Sequence, residues 1–104
     1  MKRCFVVTPE AKADLRDILL DIADDSPDTA ERLRSESFEA FQRLGQSPGI
    51  GHYHGELLDL RYRSWNFYSY VICYAWERKS IQIIAVVHGA RDLAAFLSSR
   101  LSSE

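Results

Sequence analysis

Four side chains in the second half of the sequence have the types needed to act on a phosphodiester. Arg61 and Arg63 stand two positions apart in a strand-like run, so they project from one face. His88 and Arg91 flank Gly89 at the end of a later apolar run, and Gly89 permits a sharp turn there. Metal-free cleavage of RNA needs a base, an acid and a cation to stabilise phosphorane charge; histidine and arginine can fill those roles. The same residues also have structural readings. Arg91 would pair with an acidic helix residue or a strand-end carbonyl, His88 would cap the sheet edge, and Arg61 with Arg63 would form a solvated sheet face.

Other chemistries have weaker claims. His52-Tyr53-His54, with Glu56 and Asp59 nearby, is a His-x-His in a glycine-rich loop with no cysteine close by. Structural zinc sites want four ligands and usually sulfur, so a solvated loop and no metal are expected. Cys4 and Cys73 are too far apart for a CxxC pair or zinc spacing and sit in apolar runs, which predicts two buried thiols in a reducing cytosol. The sequence lacks GxSxG, GxGxxG and a P-loop, so no cofactor is expected.

The chain of 104 residues has the length of one domain, residues 1–104. It is 46% hydrophobic and 27% charged, which excludes disorder and a fibre. The formal charge of −2 argues against a generic nucleic-acid coat. Charge is uneven, however. Residues 1–50 carry 7 basic and 10 acidic side chains, whereas residues 61–91 carry five basic side chains against Glu77 alone. That second region would favour an anionic partner by its field. No secretory signal is visible, and no apolar stretch approaches the ~20 residues that span a membrane.

The elements that must position these residues follow from periodicity and punctuation. Residues 4–8 read as a short strand. Thr8 then caps a helix with Pro9 at its first position, and Ala11, Leu15, Ile18, Leu19 and Ile22 recur at helical spacing to about Asp24. Ser26 and Pro27 repeat the start signal, Ala30, Leu33, Ala40, Phe41 and Leu44 form the second stripe, and Gly45 is the stop. Two helices this close in sequence fold back as a hairpin. Phe38 lies roughly 80–100° off the stripe centre at about 100° per residue, so the hairpin alone does not account for its cover: either the loop buries it in the core or it stands open to a partner. Residues 46–56 read as a loop. Residues 58–65, 67–76 and 81–87 read as three antiparallel strands in a meander, and Asp92 caps a last short helix bearing Leu93, Phe96, Leu97 and Leu101. The expected architecture is α+β, two layers, an antiparallel sheet covered by an N-terminal helical hairpin in the order β-α-α-β-β-β-α.

Three stretches resemble toxins of the RelE/ParE superfamily of bacterial toxin–antitoxin (plasmid stabilisation) modules, the ParE branch in particular. They are Phe5-Val6-Val7-Thr8-Pro9-Glu10-Ala11-Lys12-Ala13-Asp14-Leu15, the tyrosine-rich Tyr70-Val71-Ile72-Cys73-Tyr74, and the more specific ending Ile83-Ile84-Ala85-Val86-Val87-His88-Gly89-Ala90-Arg91-Asp92. The resemblance covers nearly the whole chain, and the element order above is that of the superfamily. It implies a cytoplasmic toxin, a cognate antitoxin wrapped along the helical hairpin in a hetero-oligomer, and one of two targets. RelE-like members cut mRNA in the ribosome with basic residues on the central strands, an arginine after the last strand and usually a C-terminal Tyr or His. ParE-like members trap DNA gyrase with cleaved DNA and carry no recognised catalytic set.

Carried over residue by residue, Arg91 matches the terminal arginine. The central stretch Phe67-Tyr68-Ser69-Tyr70-Val71 has no Lys or Arg, and the segment after Arg91 has neither Tyr nor His. The leading expectation is therefore a gyrase poison with Arg61, Arg63 and Arg91 as target contacts and Phe38 in the antitoxin groove. A ribosome-dependent endoribonuclease using Arg61, Arg63, His88 and Arg91 is the alternative, and a non-toxic antitoxin-binding relic is a further one.

Overall fold

The computed structural model describes residues 4–53, 62–89 and 92–102. The chain begins with strand β1 (Cys4–Val7), continues through helices α1 (Pro9–Asp25) and α2 (Pro27–Gln46) and a 3-10 turn at Pro48–Ile50, and then forms β2 (His52–Tyr53), β3 (Tyr62–Phe67), β4 (Tyr70–Trp76), β5 (Ser80–His88) and α3 (Leu93–Ser102). The helix starts follow the capping signals. Thr8 Oγ1 accepts from Ala11 N–H at 3.2 Å and donates to Ile83 O at 2.9 Å, so one side chain caps α1 and ties it to the sheet. Ser26 Oγ accepts from Thr29 N–H at 3.2 Å, while its own N–H closes α1 onto Ile22 O at 2.9 Å. A single residue thus ends one helix and starts the next, which forces the tight hairpin.

The sheet has the order β1-β5-β4-β3-β2. β3, β4 and β5 form the expected meander. β1 joins it alongside β5 in parallel register, so the antiparallel sheet acquires one parallel edge. A parallel neighbour needs a long crossover, which the helical hairpin and the meander together provide. Two strand limits differ from expectation. His52 and Tyr53, in the segment read as a loop, pair with Ser64 and Arg63 as a short edge strand. Phe67, read as the start of the second strand, closes the first; Tyr68 and Ser69 make the turn, with Phe67 opposite Tyr70. Tyr68 sits there at φ 56°, a left-handed conformation uncommon for a side chain of its size.

The hairpin covers one sheet face. Ala11, Leu15, Phe41 and Leu44 pack on Ile72, Tyr74, Ile81, Ile83 and Val86. α3 adds partial cover on the opposite face, where Leu97 meets Val71, Cys73, Ala75, Ile84, Ala85 and Val87. The in-and-out alternation of β5 changes phase at an irregularity between Cys73 and Tyr74 of its partner strand. There Cys73 pairs with Ala85 but Tyr74 with Ile83, leaving Ile84 as an extra residue. Ile81 and Ile83 before this bulge, and Val86 after it, therefore face the same core. Among the described residues no helix is long and apolar enough to cross a membrane.

Candidate functional site

The two described members of the expected set, Arg63 and His88, are not gathered at one point. Arg61 and Arg91 lie outside the described residues. Arg63 rises from β3 opposite Tyr74, on the hairpin face of the sheet. Its guanidinium carbon lies 5.7 Å from the Tyr53 ring centroid and 5.3 Å from that of Trp76. Nη1 donates to Gly51 O at 3.3 Å, and the buried Nε has no hydrogen-bond partner among the described residues. This arginine is held between two aromatic rings and fastened to the turn that precedes β2.

His88 ends β5 opposite Tyr70, with the two rings edge-on at 5.9 Å between centroids. It is exposed and borders a cleft of about 270 Å³ shared with Asp14, Asp17, Tyr70, Phe96 and Arg100. Tyr70 and Tyr74 are four positions apart on β4 and their partners lie on opposite sides of it, which separates His88 from Arg63 by roughly 13 Å along the strands and roughly 10 Å across them. With Arg63 fastened to Gly51, the two side chains do not converge on one point in this structure. The phosphate-clamp arrangement therefore does not assemble from the described members.

The remaining chemical candidates are placed as follows. His54, Glu56 and Asp59 lie outside the described residues, and His52 is exposed at the sheet edge. Among the described residues no group of three or more His, Cys, Asp or Glu could hold a metal ion. Cys73 is a free buried thiol, and burial, with a smaller push from Asp14, raises its pKa to about 12. At neutral pH it is protonated and a poor nucleophile. The Cys4 side chain lies outside the described set.

What the fold does build is an apolar groove of about 460 Å³ along the outside of the hairpin. Leu15, Leu19, Leu20 and Ala23 line it from α1, Pro27, Ala30 and Phe38 from α2, and Val7 from β1. Leu20 is 61% exposed and Phe38 43%. Phe38 is braced on its inner side by Phe5 and Phe41, at centroid distances of 6.5 and 5.6 Å. It is neither core nor free surface. It forms one wall of the groove, fixed in place, with its other side open. Lys12, Arg16 and Arg34 stand around the groove with Glu31, which pairs with Arg34 at 2.8 Å. Exposed apolar side chains gathered in a polar-rimmed groove mark interaction sites.

Phe38 is the groove residue that helical phase pointed to in the sequence. Leu20 and Val7 were missed. The signal for Leu20 was legible: Ile18, Leu19 and Leu20 run consecutively on an amphipathic helix, so one of them must leave the buried stripe. Val7 carried no such signal, because its place in the groove depends on β1 lying at the sheet edge. No curated protein matches the chain. The family profile described as "ParE toxin of type II toxin-antitoxin system, parDE" matches residues 5–93. That match spans the strand, the hairpin and the whole meander, and the chain belongs to the ParE toxin family of type II toxin–antitoxin systems.

Proposed function

We propose that this toxin acts by binding, poisoning DNA gyrase in the cytoplasm, and that its antitoxin is held in the groove along the hairpin. The family implies an antitoxin partner. The observation that carries the binding reading is the apolar groove lined by Leu20, Val7 and Phe38. An amphipathic helix or an extended segment with apolar anchors is the kind of ligand such a groove takes. The separation of Arg63 from His88, and the engagement of Arg63 with Tyr53, Trp76 and Gly51, support a binding mode over phosphodiester chemistry. Arg61, Arg63 and Arg91 remain the proposed contacts with the target.

The test uses purified chain with DNA gyrase, relaxed plasmid and ATP. The expected result is loss of supercoiling with gyrase-linked linear DNA, relieved by the antitoxin. No effect at saturating toxin, with mRNA cut on translating ribosomes instead, would establish the endoribonuclease alternative. No effect in either assay, with the antitoxin still bound and growth unaffected by expression, would establish a relic. The groove has its own test. Phe38→Ala is expected to weaken antitoxin binding at least about tenfold, as truncation of a well-packed aromatic anchor does. Unchanged affinity in calorimetry would remove Phe38 from the interface.

A further inference from the structure

Helix α3 is attached to the rest of the domain very differently from the hairpin. It has ten residues, and among its described side chains Leu97 alone is fully buried, at 1% exposure; Leu93, Phe96 and Leu101 are only partly covered. A helix of that length is marginal by itself in water. Its polar attachment is more specific. Arg100 Nη1 lies 2.7 Å from Asp14 Oδ2 and 3.0 Å from Ile84 O, and Nη2 lies 3.1 Å from Asp14 Oδ1. The guanidinium also stacks at 4.7 Å on the Phe96 ring one turn earlier. One arginine therefore joins α3 to α1 and to the extra residue of the β5 bulge. Asp14 also accepts from Val86 N–H at 3.1 Å, a bond that does not depend on α3.

We propose that α3 is a lid held by a latch: it lifts as a unit from the second sheet face while the hairpin and sheet stay folded, with the Arg100–Asp14 pair as the latch. The parts are suited to separate cleanly. The sheet is tied off before α3 by Gly89 N–H donating to Ser69 O at 2.9 Å. α3 carries its own start, with Ala95 N–H on Asp92 Oδ1 at 3.2 Å. On lifting, Asp14 keeps its bond to Val86 and Arg100 moves into water, so no buried charge is stranded. The first core, from Ala11 to Val86, contains no residue of α3. The opening uncovers Val71, Cys73, Ala75, Ile84, Ala85 and Val87. Sub-global openings of this kind occur where few apolar side chains hold an element.

Cys73 reports the motion. With Cys4→Ser it is the sole thiol of the chain, which has two cysteines. The probe is DTNB: the Cys73 thiolate attacks the aromatic disulfide, a mixed disulfide forms, and one nitrothiobenzoate leaves as the coloured product. Labelling is followed at urea concentrations below the unfolding transition. A lid motion exposes little surface, so its rate is expected to change little with urea, whereas labelling through global unfolding rises with the full unfolding slope. Arg100→Ala and Asp14→Asn are each expected to raise the urea-insensitive rate about tenfold or more, as loss of a charged hydrogen-bonded pair does. A rate that follows the global slope at every urea concentration overturns the proposal. So does an urea-insensitive rate that neither substitution moves. If neither variant folds, the urea dependence of the Cys4→Ser protein decides alone.

Discussion

The Tyr74 hydroxyl is held from two sides on the hairpin face of the sheet. It donates to Pro48 O, accepts from Gly51 N–H at 3.1 Å, and belongs to a side chain with no solvent exposure. This one group fastens the turn after α2 to the central strand. Tyr74→Phe leaves a carbonyl and an amide without their partner, and a loss of about 1–3 kcal/mol in urea denaturation is expected. Gly51 is required for a related reason. A Cβ there would stand 2.8 Å from Ser64 O and press on the Tyr74 ring, so Gly51→Ala is expected to destabilise the fold even though the backbone there is ordinary extended chain. Cys73 supplies a pH dependence. Its folded pKa of about 12 lies above the ~8.5 of an unfolded thiol, so the folded state holds its proton longer. Its stabilisation is complete below about pH 8.5 and is lost as pH rises towards about 12, at up to about 1.4 kcal/mol per unit. Subtracting the profile of Cys73→Ala removes the tyrosine contribution. A difference curve that is flat across that window would contradict the burial of the thiol.

At the scale of elements, Ser26 controls the hairpin. It is the C-terminal stop of α1 and the N-cap of α2, so its substitution touches both helices. Ser26→Ala retains the backbone bond to Ile22 O but removes the cap on Thr29, and a loss of about 1 kcal/mol is expected in thermal or urea unfolding. The turn between β3 and β4 is held by a tertiary contact. Tyr68 donates from its hydroxyl to a Glu36 carboxylate on α2, and that bond, with some desolvation, holds the phenol above its ordinary pKa. Tyr68→Gly is expected to relieve the left-handed backbone while losing this tie. Its net effect on stability is therefore expected to be smaller than that of Tyr68→Ala, which keeps the backbone cost and loses the tie.

For the whole molecule, the sheet has two unequally covered faces, and the outer side of the hairpin is left open. The closed core under the hairpin carries stability, and the groove outside it is the proposed recognition surface. Leu20→Glu tests that division. Leu20 is mostly exposed and contributes little to folding, so the thermal midpoint is expected to stay within about 2 °C, while a buried charge in the groove weakens antitoxin binding at least about tenfold. Equal antitoxin affinity for Leu20→Glu and the unaltered chain would place the partner elsewhere.

The sequence by itself determined the helices, the meander and the family. Those features are written locally, in Thr8-Pro9 and Ser26-Pro27, in the spacing from Ala11 to Leu44, and in the unbroken β-forming runs to Val87. It also singled out Phe38 by helical phase. Only the tertiary structure decided the parallel placement of β1 beside β5, because pairing partners distant in sequence leave no local trace. The same holds for the turn at Tyr68, which no Gly, Asn or Pro marks and which is held by Glu36 from another element. Likewise, Arg63 and His88 look like companions in sequence, but strand register sets them far apart and places Arg63 between Tyr53 and Trp76. Side-chain chemistry is legible residue by residue; which residues meet depends on register, and register is a property of the whole sheet.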